Sequence, residues 1–341
     1  MKKSISTISV LIFILLLNAC GGATASSSDS GDNTIAPTQQ SDTVDTGSTP
    51  SPSSTSSGST DTSAWNIVGD PTSALAVSAL NKIRSDAGLT TLKTNYLLEQ
   101  SAQNHANYVW DVYLNYRVNA IHYEYEDKYP SEYYTGQLKE RIQKVYSENG
   151  VQMSSSPYSE NITLETNSNA SYTKSLNWLM SAIYHRFGFL DKSLIEVGIS
   201  NSGGVWNYNM ASNSSQRLKN PSIVIYPYSG QKQVQRYYNN AESPDPLYGK
   251  GIVRSVGYPI SIEFASSTSV SSFKLYEVAS DGTKTEITNV LMMDKSNDPN
   301  NMFNSSQFAL FPLDVLKANT TYRAEVVYSG GVKNWEFVTV L

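Results

Sequence analysis

Apolar residues are spaced differently in successive parts of this chain. They run almost unbroken from Ile8 to Leu17, recur at steps of three and four from about residue 70 to 187, and alternate in short bursts beyond about 190. The middle part predicts four helices. The first follows Asp70 as cap and Pro71 in the first turn, carries Leu75, Ala79, Leu80 and Ile83 as its stripe, and stops at Gly88. A second starts near Asn95, where Leu98, Ala102, His105, Val109 and Val112 step by 4, 3, 4 and 3. Leu138, Ile142 and Val145 define a third, ending at Gly150. The fourth runs from Ser171 to Phe187, with Leu176, Leu179 and Ile183 on one stripe and Trp178, Ala182 and His185 on the next. "LIEVGIS", "VWNYNM" and "SIVIYP" then read as strands. Helices first and strands later imply an α+β layered domain over 65–226. From 227 to 341 helical periodicity disappears, and seven short strand candidates suit an all-β sandwich of about 100 residues, with Trp335 and Phe337 anchoring its core.

The N-terminal apolar run is too short to span a bilayer as a mature helix and follows "MKK", so residues 1–20 read as a signal peptide. Its end, "LNAC", resembles a bacterial lipobox. That resemblance implies cleavage before Cys20 and acylation of its sulfur, the one thiol in the sequence. Several acyl chains, each methylene contributing ~0.8 kcal/mol on burial, would hold the protein on a membrane. Half of residues 21–64 are Ser or Thr, five are Asp and none is Lys or Arg, so this segment is expected to be a disordered tether. Gly21 is not an inner-membrane retention aspartate, which points to the outer membrane if the host has one.

The formal charge of −5 is matched by the tether's aspartates alone. The nearly neutral remainder offers no electrostatic footprint for nucleic acid. There is no G-x-S-x-G elbow, phosphate loop, C-x-x-C or H-E-x-x-H. The three histidines, His105, His122 and His185, all precede the β-rich part. By spacing, His105 reads as a buried core histidine. Glu124 and Glu126 lie in the charged, Tyr-rich "HYEYEDKYP" and read as solvated. Tyrosines, 23 in all, suit adhesive or carbohydrate contacts as well as strands.

The series "LNKIRSDAGLTTLKTNYLLEQSAQNHANYV", His122, "SENI", Trp178 with "HR", and "VGIS" resembles a bacterial CAP domain, also called SCP, the superfamily of cysteine-rich secretory proteins, antigen 5 and pathogenesis-related proteins. The resemblance covers about 74–226 and implies a three-layer α-β-α sandwich with a cleft. Carried over, His122 and His185 match the cleft histidines, Glu160 matches the motif glutamate, and His105 matches a helix position that is often histidine. Ser159 replaces the usual glycine, and the second glutamate of many members has no counterpart, Ser181 standing nearest. "WLMSAIYHR" is also one residue longer than expected. His122, Glu160 and His185 form the donor set of some zinc sites with an open position. "LKANTTYRAEVVYSGGVKNWEFVTVL" resembles the last hairpin of a bacterial Ig-like domain. The expectation is a lipid-anchored envelope protein that binds a lipid, cell-wall component or protein without catalysis. A metal-assisted hydrolase is the alternative.

Overall fold

A computed structural model of the protein describes residues 71–341 apart from 120, 131, 167–169 and 253. The signal peptide, Cys20, the 21–64 tether and the Asp70 cap lie outside the described residues. Helix α1, Pro71–Asp86, opens on the expected proline, and Gly88 adopts φ +80° beyond its end. Its buried face runs through Ser73, Ala76, Leu80 and Arg84, while Leu75, expected on the stripe, is exposed. The face is rotated because Arg84 is buried to donate to three backbone carbonyls, of Thr90, Phe189 and Asp191. Burial lowers the Arg84 pKa to about 10, against the raising influence of Asp191.

After β1 (Lys93–Thr94), Asn95 caps α2 (Tyr96–Tyr116) by accepting from the Leu97 and Leu98 amides. The stripe of Leu98, Ala102, His105, Val109 and Val112 is fully buried. Helix α3 spans Leu138–Glu148, and the motif strand β2 spans Tyr158–Leu164. The expected fourth helix is two: α4 (Tyr172–Ser181) and α5 (Ile183–Phe189), parted by Ala182 at φ −82°, ψ 120°. This single extended residue sits inside the lengthened Trp-to-His spacing. Strands β3 (Leu194–Ser202) and β4 (Val205–Ser212) complete a sheet of order β1-β3-β4-β2. Helices α2 and α3 pack on one side of it; α1, α4 and α5 lie on the other. Gly198 of "VGIS" admits the α2 backbone, since a Cβ there would stand 2.0 Å from the Glu99 nitrogen.

The later strands are β5 (Ile223–Tyr226), β6 (Gln231–Val234), β7 (Tyr237–Tyr238), β8 (Val256–Gly257), β9 (Ile260–Phe264), β10 (Val270–Val278), β11 (Lys284–Glu286), β12 (Val290–Met293), β13 (Gln307–Pro312), β14 (Thr321–Tyr328) and β15 (Gly331–Thr339). They form two sheets, β11-β10-β14-β15-β6 and β12-β13-β9-β5, beside the small pair β7-β8. The C-terminal part is thus all-β, with Trp335 and Phe337 buried in its core. Strand β5, expected in the helical domain, pairs antiparallel with β9. No seam is left at 226: one continuous apolar cluster joins Ala76, Leu80 and Leu179 to Ile225, Ile262 and Trp335. A second places α5 residues Ile183 and Phe187 against Phe303 and Phe311.

Candidate functional site

Strand alternation explains the "SENI" motif. In β2, Glu160 and Asn161 point to opposite faces of the sheet. Asn161 donates to the His185 carbonyl at 2.9 Å, on the α5 side. Glu160 points toward α2 and α3, opposite Asn209 in register. Its carboxylate has three donors: His122 Nδ1 donates to Oε1 at 3.1 Å, while Arg141 Nη2 and Asn207 Nδ2 donate to Oε2 at 2.8 and 3.2 Å. Burial pushes the Glu160 pKa up, but the charges of His105, Arg141 and His122 outweigh it and hold it at about 2.

His105 is fully buried. Its Nδ1 faces Glu124 Oε1 at 2.9 Å and its Nε2 faces the Ile121 carbonyl at 2.8 Å. Two acceptors satisfy both nitrogens when both carry protons, as in imidazolium. The spacing-based reading of His105 as a core residue matches its burial. Glu124 corrects a second expectation. It is buried, not solvated, and its Oε2 accepts from the amides of Tyr134 and Thr135. Glu126 is exposed. Below the site, Glu124 and Glu160 cluster with His105 and the Arg141 guanidinium in the interior.

His122 is the accessible member, with 39% of its side chain exposed. With Nδ1 directed at Glu160, Nε2 is left to a partner in the groove. It lines a groove of about 520 Å³ with Tyr123, Gln137, Lys139, Tyr158 and Glu160.

His185 is near His122, ring centroids 6.4 Å apart, but has a different partner. Glu242, in the segment after β7, accepts from His185 Nδ1 at 2.6 Å and from the backbone amides of Tyr184 and His185 at 2.9 and 3.0 Å. The β-rich part thus supplies a carboxylate to the site that Ser181 cannot. Arg186, the second residue of "HR", is buried and donates Nη1 to the Pro259 carbonyl at 2.6 Å. The pair seals α5 to the C-terminal strands.

The expected zinc donors His122, Glu160 and His185 have these partners. Glu160 accepts from the Arg141 guanidinium, while His122 and His185 each direct Nδ1 at a carboxylate, Glu160 and Glu242, and keep Nε2. Among the described residues no group of three His, Cys, Asp or Glu is placed to hold a metal ion.

The model of the cysteine-rich secretory protein family, CAP, matches residues 77–208. Solved structures similar to this chain include a cysteine-rich secretory protein from Staphylococcus aureus, at 13% identity and TM-score 0.29, covering 42% of this chain and 38% of that one. An extracellular SCP-domain protein from Bacillus anthracis is similar at 16% identity and TM-score 0.28, covering 42% and 40%. CopC from Methylosinus trichosporium is similar at 11% and 0.21, covering 34% and 88%. This chain spans about two fifths of the length of the first two. No curated protein matches it.

Proposed function

Taking residues 77–208 as a CAP domain, we propose that the protein is a lipid-anchored binding protein of the cell envelope that holds its ligand in the groove at His122. The observation that carries this reading is the division of labour between His122 and Glu160. The ionised carboxylate lies behind the ring and orients it, and the ring leaves its second nitrogen to an open groove. Lys139 and Gln137 on the same wall add donors, while Tyr123 and Tyr158 add ring surface. Such a set selects a ligand by shape and hydrogen bonding. Hydrolysis would also require an activated nucleophile, which no hydrogen bond to His122 identifies among the described residues. The lipobox resemblance at Cys20 and the Ser/Thr-rich tether support placement on a membrane, at a distance that lets the groove reach envelope components.

The test uses the purified protein incubated with a detergent extract of the host envelope and weighed by native mass spectrometry. The wild type is expected to retain a discrete adduct that His122→Ala loses. An adduct retained equally by both, or none with the wild type, refutes groove binding.

A further inference from the structure

A second concavity lies between α4 and the segment 235–239, and no residue lines both it and the His122 groove. Its volume is about 550 Å³. Trp178 and Tyr237 give it two rings, the latter 49% exposed. Asn177, Gln235 and Asn239 give it three amides, and Asn177 and Asn239 are exposed. Arg236 donates Nε to the Leu316 carbonyl at 2.8 Å, which fixes the guanidinium plane and leaves its two Nη groups for another acceptor. Lys174 also lines the cavity, paired with Glu165. Among the described residues no Asp or Glu side chain lines it, in a protein of net charge −5.

We propose that this cavity binds an acidic saccharide. Rings beside amides suit a pyranose, whose C–H face lies on an aromatic surface while its hydroxyls meet planar amides. The fixed guanidinium fork suits a sugar carboxylate, taken through two parallel N–H donors. A lipid would need a longer aliphatic wall than Val340 and Leu341 supply, and a neutral glycan would leave Arg236 without an acceptor. The site is independent of the reading of the His122 groove.

Isothermal titration at low ionic strength tests it with a hexasaccharide of alternating glucuronate and N-acetylglucosamine. Comparators are the neutral N-acetylglucosamine hexamer and hexaglutamate. The acidic hexasaccharide is expected to bind at least about tenfold more tightly than either comparator, with affinity falling as salt is raised. Asn177→Ala and Tyr237→Ala, both at exposed positions, should each weaken binding about tenfold while the fold remains intact. Arg236→Met should erase the preference for the acidic over the neutral sugar, and His122→Ala should change nothing. The proposal is overturned by no binding of the acidic hexasaccharide to the wild type. Equal binding of hexaglutamate would reduce the site to a charge, and loss of binding in His122→Ala would move it to the other groove.

Discussion

Glu160→Gln removes a charge whose contribution can be worked from the site. The side chain is 4% exposed, and its carboxyl is held at about 2 against an ordinary 4.5. At 1.36 kcal/mol per pKa unit, that depression corresponds to roughly 3 kcal/mol of stability from the ionised form. Because the folded-state value is the lower one, this contribution is fully present above pH about 4.5 and is lost as pH falls toward 2. Glutamine keeps the shape and can still accept from Arg141, but it cannot ionise. Urea unfolding of wild type and variant should differ by roughly 3 kcal/mol at pH 7 and by about half that at pH 3. A difference that stays constant from pH 7 to 3, or is below about 1 kcal/mol throughout, would refute the charge cluster as the source of the depressed pKa.

Other expectations follow from contacts at the seams. Gly198→Ala should cost roughly 3 kcal/mol or more in urea unfolding, because the new Cβ meets the α2 backbone at 2.0 Å and backbone cannot swing aside. A loss below about 1 kcal/mol would mean α2 does not pack so closely. Glu242→Ala should cost roughly 3–5 kcal/mol, since it strands two backbone amides and His185 in the interior, while Glu242→Gln should cost less. Equal losses for the two would show that hydrogen bonding to Glu242 is not what matters. Cys20→Ser should move the protein out of the membrane fraction or leave an unprocessed precursor; unchanged fractionation would mean something other than Cys20 lipid holds it.

What the sequence made legible was periodic. The stripe of α2 placed His105 in the interior because five positions agreed on one face, and the stripe of Leu138, Ile142 and Val145 located α3. Glu124 was not legible, since a single carboxylate among tyrosines and charges has no period. The signal that could have found it was His105 itself, as a buried imidazole needs a nearby acceptor. Glu242 was hidden for another reason. It stands in a polar, Pro-containing stretch that looks like a linker, and its partner is 57 residues away. The break at Ala182 left a trace as one extra residue between Trp178 and His185, but the helical stripes continued across it. Strand β5 looked like the end of one domain because its apolar pattern cannot say which sheet it joins.

Hydrogen exchange with and without the envelope extract tests the groove most directly. Added protection is expected in peptides covering 137–139 and 155–160, which line the groove with His122, and none of it in His122→Ala. Protection confined to other segments, or persisting in these peptides when His122 is replaced, would contradict it.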